Sequence, residues 1–262
     1  MKRYIPISAI LIACLTAAGC RSASFLDGKQ AVYDSKQTIA WVVIVLIGGL
    51  FLALASYSNL LRDEISNDDE FAANAKTLQQ TKSWIKVDTR APFSLTKVQF
   101  GIWTVIISSV YVYVSLCRGD CAAGSINQTA LVLMGIFSGT AAASTIMDKN
   151  EMSDNRPRHQ NAPSQGFFID ILSDDNGISL HRFQNFAWTV IAITVYLYKA
   201  SQTTKGGELP ELSDTLLALT GISSATYLVL KNQENDPPAH ALPEPATVVP
   251  VGAVQTPQQP AS

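Results

Sequence analysis

The sequence predicts an all-α fold: an integral membrane helical bundle containing two hairpin repeats of parallel orientation. Three observations carry that expectation. Only 15% of the 262 residues are charged and 47% are hydrophobic, whereas an average soluble domain is about 25% charged. The apolar residues are gathered into blocks of membrane-spanning length, separated by polar stretches. Two stretches of the chain also repeat each other at half of their positions. A net charge of −2 gives no reason to expect a nucleic-acid partner. Four Cys and three dispersed His leave little material for a metal or cofactor cluster, so none is expected.

At the amino terminus, Met1-Lys2-Arg3 is basic, Tyr4 to Ala18 is almost wholly apolar, and Ala17-Ala18-Gly19 leads into Cys20. Residues 1–20 have the layout of a secretory signal peptide. They resemble the bacterial lipoprotein signal, which implies lipidation at Cys20; Ala17 stands where that family usually has Leu. An uncleaved signal anchor or first membrane helix is the other reading. Both place residues 21–37 outside the cytoplasm.

A helix needs about 20 apolar residues to cross a bilayer core. Residues 38–57 meet this without a charge, as do Val98 to Leu116 and Thr129 to Met147. Leu212 to Leu230 qualifies with Asp214 near its entrance. Phe183 to Tyr198 is shortest, at 16 residues, with Arg182 and Lys199 placed to snorkel to the two interfaces. If 38–57 runs inward, the cytoplasmic stretches hold 11 basic residues and the outer ones 6, the expected bias. Cys117 and Cys121 then bracket a short outer loop, where a structural disulfide suits an oxidising compartment; free thiols or a redox or metal pair are the alternatives.

Residues 94–113 align without gaps to residues 179–198, with 10 of 20 positions identical. The next helix repeats at an offset of 86, 129–140 against 215–226, with 7 of 12 identical. The repeating unit is therefore a helical hairpin, over 93–147 and again over 178–231, with cytoplasmic loops at 58–92 and 148–177. One hairpin returns the chain to its starting side, so both copies have the same orientation.

Within each unit Ser94 or Ser179 could cap the entering helix. Gln99 with Trp103, and Gln184 with Trp188, lie four apart on one face. The Gln amides suit pairing across helices, headgroups or water; the Trp, with Tyr111, Tyr113, Tyr196 and Tyr198, suit aromatic belts. On the returning helices Gly135 and Gly139, echoed by Gly221, form small-residue seams for close helix packing, within the bundle or with another subunit. A pore lined by Ser108, Ser109, Ser138 and Thr140 is the alternative use of the small polar residues. No ionisable residue falls deep in any span, which weighs against a proton-driven carrier.

In the loops, Leu61–Ile65 and Phe71–Lys82 suit short helices, Gly166–Leu172 an interfacial amphipathic segment with Trp84–Asp88 as its weaker counterpart, and 150–165 a mobile loop. The turn Ser173–Gly177 lacks calcium-loop spacing. Residues 232–262 hold seven of the twelve prolines and suit a disordered cytoplasmic tail.

The blocks FSLTKVQFGIWTV and GISLHRFQNFAWTV, with LMGIFSGT and LTGISSAT after them, resemble a group of uncharacterised bacterial membrane proteins over roughly residues 93–230. Lys97 and Phe137 depart from that group's usual Arg and Ser. The resemblance implies a bacterial inner-membrane protein and carries over no activity, ligand or catalytic residue. The expected role is non-enzymatic: a scaffold, sensor or assembly component with lipid contacts, a possible second copy and a possible cytoplasmic protein partner. An oligomeric channel or small-solute transporter is the alternative.

Overall fold

The computed structural model describes residues 28–81, 90–118, 126–154, 156, 158–174, 177–202 and 209–234. The signal with Cys20, the Trp84–Asp88 segment, Cys121 and the tail from 235 lie outside them, as does the Cys117 side chain. The described chain is almost entirely helical. Its elements are α1 (Gly28–Tyr57), α2 (Asp68–Thr81), α3 (Leu95–Tyr113), α4 (Gln128–Ser153), α5 (Phe167–Leu172), α6 (Leu180–Gln202) and α7 (Asp214–Lys231). A π-helical turn, Val114–Arg118, continues α3; a 3-10 turn spans His159–Asn161; and a two-residue hairpin pairs β1 (Ser173–Asp174) with β2 (Gly177–Ile178). Three helices are long and apolar enough to cross a membrane: Lys36–Tyr57 within α1, Leu95–Leu116, and α4. The other two expected spans, α6 and α7, are more polar: α6 opens with His181, Arg182, Gln184 and Asn185, and α7 is bounded by Asp214 and Lys231.

Four helices form a ring, with α3 against α4 and α6, and α7 against α4 and α6. Contacts along the ring give their directions. Trp103 of α3 meets Tyr196 of α6, and Gln99 meets Thr189, so α3 and α6 run the same way. Asp148 near the end of α4 meets Lys231 at the end of α7, so these two also run the same way. The returning helices start on matched caps. The Asn127 side chain accepts from the Ala130 amide and Ser213 from the Leu216 amide, each satisfying an orphaned N–H of a first turn. Asn127 also donates to the carbonyls of Leu209 and Pro210, tying the two turns together at this end. Ser94 sits at the N-cap of α3 but makes no capping bond, and the Ser179 hydroxyl turns instead to the His181 ring.

Helix α1 lies outside the ring, antiparallel to α3, touching it from Trp41 against Tyr113 to Phe51 over Gly101. Only 6% of its apolar stretch is buried, against 33% for α3 and for α4, and the rest is half-buried or exposed. Gly101 permits the approach: a Cβ there would lie 2.6 Å from the Phe51 ring. By contrast a Cβ on Gly135 or Gly139 would meet nothing within 4 Å, so that stripe of α4 faces outward, and Gly221 lies near Ile136.

The loops gather at the end of the ring where α3 and α6 begin. Leu61–Ile65 is not a helix; it runs extended, with Arg62 bridging to Phe93 and the Asp63 amide donating to Pro92. Residues 158–164, expected as a mobile loop, are packed: Arg158, Gln160, Asn161 and Ser164 are all buried. Asn161 holds them by accepting from Ser66, donating to Glu70 and accepting from Asn74 through its carbonyl. Helix α5 buries Ile171 and leaves Phe168 and Ile169 exposed, an amphipathic piece at the rim of the bundle. The chain remains packed through Glu234.

Candidate functional site

Three layers stack inside the ring. The outermost is charged and buried. Asp148 on α4 accepts from Arg158 at 2.7 Å and from the Lys231 ammonium at 3.1 Å. Glu151, one turn later, accepts from Arg158 Nε at 2.9 Å, and the third arm of that guanidinium reaches the Glu64 carbonyl at 3.1 Å. Arg182 at the start of α6 makes a two-pronged pair with Glu234, at 3.0 and 2.5 Å, beneath the face of Tyr227. Asp63 completes the layer with the Ser94 hydroxyl, Lys231, Lys97 and Arg182 around it. Burial alone would raise the Asp63 carboxyl; Lys231, Ser94, Lys97 and Arg182 outweigh it and hold the group below the usual carboxylate range. For Lys231 burial opposes the charge, and Tyr227, Asp63 and Asp148 more than offset it, so the ammonium is held protonated.

One to two turns inward lie buried neutral polar groups. Gln99 on α3 donates to the Thr189 hydroxyl at 2.7 Å, and Thr189 donates to the Asn185 carbonyl at 2.9 Å. The Gln99 carbonyl oxygen, both polar atoms of the Asn185 side chain, and the hydroxyls of Ser144, Ser223 and Ser224 have no hydrogen-bond partner among the described residues. All five residues are almost completely buried. Their level follows from helical spacing. Asn185 lies three residues past Arg182, Ser144 four before Asp148, and Ser223 and Ser224 about two turns before Lys231. Each of the four ring helices therefore contributes buried polar groups to the stretch between the charged residues and the aromatic rings. A buried polar group left unpaired costs about 1–3 kcal/mol, and native proteins carry few of them.

Beneath it is an aromatic floor. Trp103, wholly buried, stacks on Phe137 at 5.5 Å and meets Tyr196 edge-on at 5.8 Å. Beyond these rings Leu133, Ile107, Val110, Ala192 and Leu212 seal the bundle with apolar packing. At the opposite, charged end, a cavity of about 550 Å³ lies between Asn59, Arg62, Asp63, Glu64, Arg90 and Lys97. Asp63 lines this cavity and also belongs to the charged layer, so it joins the surface to the interior.

One further group of side chains could hold a metal ion. Asp174 in the hairpin, His181 on α6 and Glu234 after α7 each bring one ligand atom to within 4.8 Å of the others. Both Glu234 oxygens already accept from Arg182, and His181 lies 3.3 Å from one of them and 2.6 Å from the Ser179 hydroxyl.

The residues singled out in the sequence are divided by the structure. Gln99 and Trp103 enter the polar layer and the floor, whereas Gln184 is exposed and Trp188 half-buried. Helix α6 turns the next residue, Asn185, inward instead; outside the ring α3 is covered by α1 and α6 by α5. Sequence reasoning missed Asp63, Asp148, Arg158, Lys231, Glu234, Asn185, Ser144 and Ser223. One signal was present: the 86-residue offset, carried eight residues past the aligned block, sets Asp148 opposite Glu234, and each carboxylate holds an arginine. The buried polar and charged core is more consistent with a channel-like or transport role than with a purely structural scaffold. Compared with family models, curated proteins and solved structures, the chain matches none.

Proposed function

We propose that the chain is a multi-pass bacterial inner-membrane protein that passes a small solute, as a channel or carrier, rather than a scaffold, sensor or assembly component. The observation that carries this reading is the set of buried polar and charged side chains that four helices contribute to the interior, several of them unpartnered among the described residues. In this reading the aromatic floor closes the path on the far side and the buried, ion-paired layer closes it on the near side, an occluded state.

In this reading five helices cross the bilayer as α1 followed by two like-oriented hairpins. Helix α6, with 23 residues, rises about 34 Å and is long enough to cross. The charged end and the C-terminus are cytoplasmic, in keeping with the bias of basic residues. Exposed Phe168 and Ile169 rest among inner-leaflet headgroups, and Cys20 is a lipid anchor or the end of a first helix. The outward Gly135 and Gly139 stripe is where a second copy would pack. No catalytic role is proposed.

The test is solute flux into liposomes containing the purified protein, followed by stopped-flow light scattering. The expected result is permeability to small solutes well above that of protein-free vesicles, reduced in Gln99→Leu. A folded, correctly inserted protein that passes none of a panel of polyols, amides and monovalent ions would overturn the reading.

A further inference from the structure

The cavity at the charged end has a chemistry that the transport reading does not use. We infer that it seats the phosphoethanolamine headgroup of a phospholipid, whose chains lie along the bare face of α1. This goes beyond the transport reading: it shares only the placement of α1 in lipid and needs no solute path.

Three segments that meet at the end of α1 line this cavity of about 550 Å³: residues 59–65 after α1, Arg90 with Ala91 ahead of α3, and Lys97 in the first turn of α3. A carbonyl orients each basic side chain. Arg90 donates to Ser56 in the last turn of α1 at 3.1 Å, Lys97 donates to Arg62 at 2.8 Å, and Arg62 donates to Ala91. A carbonyl fixes a cation without cancelling its charge, and guanidinium and ammonium groups so held suit a phosphate. Asp63 and Glu64 line the same cavity, and Asp63 Oδ1 has no hydrogen-bond partner among the described residues.

Three cations and two carboxylates in one wall call for a ligand that carries both signs. A free phosphate meets the cations but sets its oxygens against the carboxylates; a bare cation does the reverse. A phosphate diester with a primary ammonium two carbons away meets both, and the ammonium donates three N–H bonds to carboxylates that only accept. No aromatic ring lines the cavity, so nothing in its wall would stack a nucleobase. The lipid source follows from what adjoins it. Leu46, Leu50, Leu54 and Tyr57 recur at helical spacing on one face of α1 and are 45% to 71% exposed. That stripe ends two residues before Asn59, which lines the cavity. An apolar stripe leading to a charged cavity at the end of a spanning helix matches the two ends of one amphiphile.

The experiment is native mass spectrometry of the full-length protein released from nanodiscs that hold equal amounts of phosphatidylethanolamine, phosphatidylglycerol and phosphatidylcholine. Each lipid is then titrated into the delipidated protein. Wild type should retain phosphatidylethanolamine in preference to both others, because the choline ammonium has no N–H to donate and glycerol has no positive charge. Arg90→Gln should weaken all three lipids about tenfold, the equivalent of a charge-assisted hydrogen bond to the phosphate they share. Glu64→Gln should instead leave phosphatidylglycerol binding unchanged and cut the preference for ethanolamine by roughly threefold to fivefold, as for an exposed ion pair. Glu64 is exposed, so this second variant does not disturb the packed chain. Inorganic phosphate should not displace the lipid. Equal retention of the three lipids by wild type, or a preference for phosphatidylglycerol, would overturn the inference. Displacement by inorganic phosphate would assign the cavity to a free anion and overturn it too, as would folded wild type that retains no lipid. Retention of phosphatidylethanolamine without solute flux into liposomes would keep this inference while overturning transport; flux without lipid preference would do the reverse.

Discussion

Replacing Lys231 with methionine keeps nearly the same side-chain length and apolar volume while deleting one ammonium from the charged layer. The side chain is 2% exposed and stands 3.1 Å from Asp148, with Asp63 also in its field. Breaking a buried ion pair by removing one partner costs about 3–5 kcal/mol, because the other charge stays buried without compensation. Here the loss is shared. Asp148 keeps Arg158 at 2.7 Å, and Asp63 keeps the Ser94 hydroxyl and the fields of Lys97 and Arg182. The expected destabilisation therefore sits at the lower end of that range, about 3 kcal/mol. For a chain of this length that corresponds to a fall in Tm of roughly 6–12 °C, read by intrinsic fluorescence during thermal unfolding in detergent. Adding Asp63→Asn to Lys231→Met should recover a large part of the loss, because Asp148 keeps a direct ion pair with Arg158, whereas Asp63 keeps only a hydroxyl and longer-range charges. A Lys231→Met protein within about 2 °C of wild type, or a rescue by Asp148→Asn and not by Asp63→Asn, would refute the account of how this layer is held.

Three further outcomes are expected. The Asp63 carboxyl is held below its ordinary range, so its contribution to stability is present above about pH 4 and is lost as the pH falls through its folded-state value; the stability gap between wild type and Asp63→Asn should narrow in acid. Gly101→Leu should drive the Phe51 ring off α3 and cost about 1–3 kcal/mol, read by thermal unfolding and as a loss of bifunctional-maleimide cross-linking between cysteines placed at Trp41 and Tyr113, whose rings lie 6.1 Å apart across the same seam. With Cys117 and Cys121 replaced by serine, a cysteine at Ile126 should react with a membrane-impermeant thiol reagent added from outside, and one at Asp68 should not; reversed labelling would invert the topology.

Most of the helices were legible in the sequence because an uninterrupted apolar run of spanning length has few other solutions. α3, α4 and α7 lie within a few residues of their expected positions, apart from α4 running on to Ser153. The site was not legible, and the reason is geometric. Asp148, Arg182 and Lys231 sit one residue beyond the expected spans, where charges ordinarily meet water. They are buried only because loops far away in sequence fold over them: Arg158 reaches back to Asp148, and Glu64 closes on Arg158 from 94 residues away. The repeat misled in a different way. Identical residues promised identical roles, but α1 packs on one copy alone, and the two entering helices turn different faces inward: Gln99 on α3, Asn185 on α6. Residue identity is a local property; the face a helix buries is decided by its neighbours.

The placement of Trp103 has a practical consequence. Its indole is wholly shielded, stacked on Phe137 and lodged directly under the layer of amides and hydroxyls. With Trp41, Trp84 and Trp188 replaced by phenylalanine, Trp103 is the one remaining indole, and a change in polarity above it would shift its emission while iodide fails to quench it, an optical gauge that needs no added label.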